Sequence, residues 1–289
     1  MAALDRTAED IGNIIHLEHV NVQQPDQRLA TLFYIVGLGG TRDPYLFVGL
    51  DNMWVNFGRS QFHMPTREPM PQVLRGTVGL VLPDLAVTRK RLAQVEAQLA
   101  GTKFAWRDAG AHLEATCPWG NRFRLHAPAP EFGPTDLGMA YIECDVAPGT
   151  AEGIARFYAE VMGAPARAVT RSGSPSAAVS VGRNQHLYFT ETSKPLPEYD
   201  GHHFQIYIAD FSGPYRWLLE RKLVTMETNA HEWRFQDIVD PKTLKPLFRI
   251  EHEVRSLRHP LFARPLVNRN PSITNVNYVP GHEGFRGTY

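Results

Sequence analysis

One pattern recurs four times along this chain of 289 residues: a strand, a helix, then about three short strands. In the first copy, residues 14–26 (IIHLEHVNVQQPD) alternate apolar and polar as a half-buried strand does. Pro25-Asp26 closes that strand, and Asp26 is placed to cap a helix in which Leu29, Leu32, Phe33 and Val36 keep helical spacing. Gly37, Gly39 and Gly40 stop the helix, and strand-like runs follow at 45–50, 53–58 and 60–64. The second copy opens at 76–84, has a helix from Leu85 to about Leu99 and ends in strands at 103–107, 111–117 and 121–126. The third opens near Gly138, with a helix over 151–161 and strands at 176–182 and 185–191. The fourth opens at Gly201, with a helix over 212–221 and strands near 224–228, 232–239 and 246–254. Recurrence at an irregular period of about 60 residues is an internal duplication, and it constrains the fold before any single motif does.

The chain exceeds a typical domain of about 100–200 residues, so two domains are expected. The Pro-rich stretch HAPAPEFGP (126–134) separates the halves. The division is an N-terminal arm (1–13), a domain over 14–130, a second over 137–254 and an irregular tail (255–289). Phe262, Leu266, Tyr278 and Phe285 recur in the tail, which favours its wrapping the second domain.

With 30 basic and 30 acidic residues and no Lys/Arg-rich run, nucleic acid and anionic membranes are not expected partners. No apolar run approaches the roughly 18 residues of a transmembrane helix, and MAALDRTAEDIGN lacks the apolar core of a signal peptide. Two cysteines, Cys117 and Cys144, give no disulfide framework. A cytoplasmic location is expected.

The stretch GHHFQIYIAD (201–210) draws the eye to chemistry. A strand sends His202 and His203 to opposite faces. If His203 points inward, so do Gln205 and Tyr207, and a polar inner face implies a cavity. His202 is expected to face solvent or a loop. Asp237 and Arg249 are expected to pair across neighbouring strands.

The repeated unit resembles the paired βαβββ module of the vicinal oxygen chelate superfamily, which includes glyoxalase I, methylmalonyl-CoA epimerase, extradiol dioxygenases and antibiotic-resistance proteins. The resemblance rests on His19-Val-Asn-Val-Gln-Gln-Pro-Asp26 followed by Phe33-Tyr34 and Gly37-Leu38-Gly39. Phe157-Tyr158 with Val161-Met162-Gly163, and Cys117-Pro-Trp-Gly-Asn121-Arg-Phe-Arg124, carry it further. It covers about residues 14–254. It implies an α+β fold of four βαβββ modules paired into two domains with open, U-shaped mixed sheets. Each sheet would surround a site whose ligands come from first and last strands.

Carried over residue by residue, the resemblance places Thr77 and Arg124 in two slots of the N-terminal half. A cation in a ligand slot opposes a metal, so that half is expected to be metal-free. His19 is then structural, and His63 and Arg124 bridge or bind an anion. In the C-terminal half His203 and Glu251 fill slots suited to Fe(II), Mn(II) or Zn(II). Aligning the strand's valine puts Tyr141 in the third slot, whereas aligning Phe-Tyr of the helix puts Glu143 there. Glu191, Tyr188 and His186 are the offers of the third module's last strand. The expected metal set is Glu143, His203 and Glu251, with Glu253 on the same face as Glu251. Tyr141 and Glu191 are the candidate catalytic residues.

The resemblance implies a divalent metal (Fe(II) first, with Mn, Zn or Ni as alternatives) and a small substrate chelated through adjacent oxygens. A homo-oligomer is compatible with it. Three functions compete. Layout places an extradiol-type dioxygenase first, with an idle N-terminal half and the site in the C-terminal half. A glyoxalase- or epimerase-like isomerase or lyase suits a carboxylate-rich site, and a resistance-type binding protein would need no metal.

Overall fold

The computed structural model describes residues 6–45, 51–67, 70–264, 266, 272–273 and 277–279. Module one has strand β1 (Ile14–Asn21), helix α1 (Gln27–Ala30) continuing as a π-wound segment (Thr31–Gly37), then β2 (Thr41–Arg42), β3 (Asn52–Phe57) and β4 (Ser60–Pro65). Module two has β5 (Gly76–Val81), α2 (Leu85–Leu99), β6 (Ala105–Asp108), β7 (Leu113–Thr116) and β8 (Arg122–His126). Module three has β9 (Gly138–Val146), α3 (Ala151–Arg156) with a π-wound end (Phe157–Val161), β10 (Ala166–Arg171), β11 (Ser174–Ser180) and β12 (His186–Glu191). Module four has β13 (His203–Ile208), α4 (Ser212–Glu220), β14 (Val224–Asn229), β15 (Glu232–Val239) and β16 (Pro246–Ser256). The strand expected over 45–50 lies almost wholly outside the described residues, as does Phe285. Asp26 caps α1 as expected, its Oδ1 accepting from the amides of Arg28 at 2.7 Å and Leu29 at 3.1 Å. No helix among the described residues is long and apolar enough to cross a membrane.

The strands form two eight-stranded mixed sheets, ordered β14-β15-β16-β13-β1-β4-β3-β2 and β10-β11-β12-β9-β5-β8-β7-β6. The first joins modules one and four, and the second joins modules two and three. The expected pairing of consecutive modules within each half is therefore corrected: the modules pair crosswise. Each module by itself leaves its first strand as an open edge, and the sheet grows wherever another first strand covers it. β1 is covered by β13 and β5 by β9, both antiparallel. Modules one and two, and likewise modules three and four, meet instead through helices and apolar sheet faces.

The Phe-Tyr pairs of the π-wound segments make those contacts. Phe33 packs on Phe104 and Phe123 of module two, and Tyr34 lies between Phe62 of β4 and Phe123 of β8. Phe157 packs on Trp217 and Phe235 of module four, and Tyr158 on Phe189 and His252. All four residues are fully buried, each contributing about 1.5–3 kcal/mol by removal from water. Each pair therefore wedges one sheet against the other. Gln185 adds a polar tie, accepting from the Leu17 amide and donating to the carbonyls of Leu17 and Met139. In the tail, Phe262 rests on Tyr207 of module four, while Arg264 pairs with Asp43 and Tyr278 packs on Tyr45, both of module one.

His252 is fully buried between the sheets, its Nδ1–H donating to the Ile250 carbonyl and its Nε2 accepting from the Tyr158 hydroxyl. Burial lowers its pKa to about 3. Unfolded histidine takes up a proton near pH 6.5, whereas the folded one stays neutral, so stability falls as pH drops through that interval. We expect denaturant titrations to show a loss on the order of 3 kcal/mol from this residue between pH 7 and pH 4. His252→Gln should flatten that slope, and an unchanged slope would exclude His252 as its source.

Candidate metal centre

The concave face of the first sheet is polar because alternate residues of its central strands are. His203, Gln205 and Tyr207 line β13, and Glu251, Glu253 and Arg255 run beside them on β16 in parallel register. Glu232 and Arg234 of β15 flank Arg255 and Glu253. On β1, His19 stands opposite Gln205 and Asn21 opposite His203. A bulge between Leu17 and His19 leaves Glu18 without a cross-strand partner. The residue nevertheless reaches the same network: its Oε1 accepts from the Tyr207 hydroxyl, and its Oε2 lies 3.5 Å from Arg255 Nη1.

His19, His203 and Glu253 each offer one ligand atom, and these atoms lie within 4.8 Å of one another, the one such cluster among the described residues. All three are buried. Both histidines have the same arrangement. His19 Nδ1 lies 3.4 Å from Glu18 Oε2, and His203 Nδ1 lies 3.5 Å from Glu251 Oε1. Both Nε2 atoms are buried without a hydrogen-bond partner. A carboxylate behind one ring nitrogen and an unsatisfied nitrogen in front is how protein-bound metals are commonly ligated.

Charge points the same way. Glu18, Glu232, Glu251 and Glu253 surround only two guanidiniums, Arg234 and Arg255, leaving two negative charges uncompensated in a buried site. Burial alone would push Glu253 up, but Arg255, His203, His19 and Arg234 outweigh it and hold the carboxyl well below its usual range. Glu18 is likewise lowered, His19 and Arg255 outweighing the effect of burial. Burial, partly opposed by Glu18 and Glu253, lowers His19. The imidazole is thereby kept neutral, the form that ligates metal. Two imidazole nitrogens, one anionic oxygen and a local charge of minus two fit a divalent cation.

The expected site residues fall in different places. His203 is in the cluster. Glu251 is one step behind it, held by Arg234 Nη1 at 2.8 Å and Gln236 Nε2 at 3.2 Å, with Glu253 as the carboxylate facing both histidines. Glu143 lies on β9 in the other sheet, paired with Arg124 at 2.5 Å, and cannot share an ion with His203. Tyr141 is in that sheet too, its hydroxyl 2.9 Å from His126 Nε2. Glu191 accepts from the Ala151 amide at the start of α3, a helix-terminal role away from either concave centre. His202 is buried against Asp200 of the preceding loop at 2.6 Å, so of its two expected surroundings it has the loop and not solvent. The Asp237–Arg249 pair forms, at 2.7 Å. His19, expected to be structural, joins the cluster because module one shares a sheet with module four and not with module two. Glu253 carried a visible signal, since it shares a strand face with Glu251.

The two modules of the first sheet contribute unequally. The position matching Glu253 in module one is His63, which is stacked on Trp54 at 3.8 Å. Its ring lies edge-on to His19 at 5.9 Å, but its nitrogens are engaged by Asn21 and Asn52. In the second sheet the same register places Tyr141, Tyr188, Thr77 and Arg124 where the first has His19, His63, His203 and Glu253. None of these is an imidazole or carboxylate. Opposite Tyr141 stands Gly79, where a Cβ would overlap the tyrosine ring. Gly79→Ala should therefore destabilise the fold by about 1–3 kcal/mol, read as a lowered denaturation midpoint at unchanged slope.

No family model and no curated protein matches the sequence. Solved structures do. Glyoxalase I from Zea mays aligns over 88% of this chain and 95% of its own, at 13% identity and a TM-score of 0.55. A mutant of the same maize enzyme aligns over 83% and 92% at 14% identity, with a TM-score of 0.58. A Bacillus subtilis protein provisionally described as a dioxygenase aligns over 84% and 86%, at 13% identity and a TM-score of 0.57. The chain has the two-sheet α+β fold of the vicinal oxygen chelate superfamily.

Proposed function

We propose that this protein is a divalent-metal enzyme holding Fe(II) at His19, His203 and Glu253, and that it oxygenates a small substrate bound through adjacent oxygens. The observation that carries the reading is the pair of unsatisfied imidazole nitrogens facing one carboxylate in a pocket of net negative charge. Two histidines and one carboxylate with open positions form the donor set of non-haem Fe(II) oxygenases. When bound, the ion supplies Lewis acidity and redox chemistry, with coordination positions left for the substrate.

The rest is the work of this chain. Glu18 and Glu251 orient the two imidazoles through their Nδ1 atoms. Arg234 and Arg255 keep Glu253 ionised. An idle N-terminal half lends the oxygenase no support, because modules one and four share the centre. Two buried free thiols, Cys117 and Cys144, fit a reducing compartment, and the cytoplasm is the proposed location.

Elemental analysis of tag-free protein should find iron near one atom per chain, lost in His203→Ala and in Glu253→Gln. Glu251→Gln should weaken metal affinity by roughly 10–100-fold through the misoriented imidazole. Oxygen uptake with a panel of catechols should require the same residues. Zinc, nickel or manganese at this site without oxygen uptake would replace the oxygenase by an isomerase or lyase. Absence of any metal after anaerobic reconstitution would overturn the enzyme reading and leave a binding protein.

A further inference from the structure

The second sheet's concave face, where the register substitutes tyrosines, threonine and arginine for metal ligands, is hollow. A pocket of about 250 Å³ opens there between Tyr141, Tyr188, His186, His126, Phe132 and Arg171. Its position follows from three local features. A bulge between Met139 and Tyr141 leaves Ala140 where the first sheet has Glu18, so a methyl group replaces a charged side chain. Gly79 lets the Tyr141 ring lie close against β5. The 3-10 turn of Pro130–Phe132 lays Phe132 over His126 at 4.9 Å.

The walls are aromatic on several sides. Tyr141 and Tyr188 meet edge to face at 5.7 Å, and His186 stacks parallel to Tyr188 at 5.6 Å. Burial keeps both histidines neutral: His126 is lowered to about 4, and His186 is lowered by burial and by Arg171 and Arg167. The Tyr188 hydroxyl and the His186 nitrogens make no hydrogen bond among the described residues.

One cation faces this space with spare capacity. Glu143 is already satisfied by Arg124 at 2.5 Å and Thr190 at 3.0 Å. Arg171 is the second guanidinium on that carboxylate, its Nε 3.4 Å from Glu143 Oε2 and without a hydrogen bond. It is held in place by stacking, its Cζ 3.9 Å from the Tyr188 ring centre and 5.2 Å from that of Tyr141. The one anion among the residues lining the pocket, Glu131, is exposed at the rim, where water screens it. A stacked guanidinium keeps its N–H edges free for a carboxylate.

We infer that this pocket binds a small planar aromatic carboxylate, its anion on Arg171 and its ring among Tyr141, Tyr188, His186 and Phe132. A single ring suits the volume, which exceeds the roughly 150 Å³ cavity that holds benzene. The site is separate from the proposed metal centre and does not depend on it.

Calorimetric titration of the full chain with benzoate, benzamide and cyclohexanecarboxylate tests the assignment. Benzoate should bind with one-to-one stoichiometry, and more tightly than either analogue. Arg171→Gln should weaken benzoate about tenfold or more, as expected for loss of a charge-assisted hydrogen bond, and Tyr188→Leu should weaken it too. Binding should persist in the Glu253→Gln variant and after chelator treatment, which separates this site from the metal centre. No heat at millimolar benzoate would overturn the proposal. So would equal affinity for benzamide, or undiminished binding in an Arg171→Gln protein with native circular dichroism.

Discussion

The antiparallel contact of β1 with β13 is the constraint from which the first sheet's chemistry follows. Each strand by itself carries one histidine of the cluster and no complete ligand set. Pairing in the observed register, His19 opposite Gln205 and Asn21 opposite His203, brings the two imidazoles onto one concave face, their ring centres 6.1 Å apart. The parallel pairing of β13 with β16 then adds Glu253 to that face. A slip of one residue in either pairing would turn these side chains to the opposite face.

The network around the cluster contains four carboxylates, two guanidiniums and two orphaned imidazole nitrogens, with only Arg234 and Glu251 partly exposed. Such a group is costly to fold unless its excess charge is neutralised. A divalent ion would supply that neutralisation and the missing partners together. Binding to the folded state alone would also stabilise the fold, so metal affinity and stability would be linked.

Duplication has given the two sheets one register and two chemistries. Where the first sheet presents His19, His203 and Glu253, the second presents Tyr141, Thr77 and Arg124, and where the first is packed with Glu18 the second has Ala140. The Phe-Tyr wedges, Phe33-Tyr34 and Phe157-Tyr158, are apolar on both sides and indifferent to which chemistry the concave faces carry. The fold is thus held by contacts between the sheets, and each concave face is free to diverge.

The sequence by itself determined the modules. Alternation over 14–21 and 203–208, the Asp26 cap and the Phe-Tyr helix ends are local signals, set by neighbours a few residues apart, and the structure carries all of them. The α+β class and the inward placement of His203 were legible for the same reason. Which first strand would cover which edge was not, because β1 can pair with any exposed edge of matching pattern and the choice is made by contacts nearly two hundred residues apart. That choice moved His19 from a structural role into the cluster, separated Glu143 and Tyr141 from His203, and put Glu253 ahead of Glu251. Tertiary pairing alone decided the site, since ligands drawn from distant strands become neighbours only when the sheet closes.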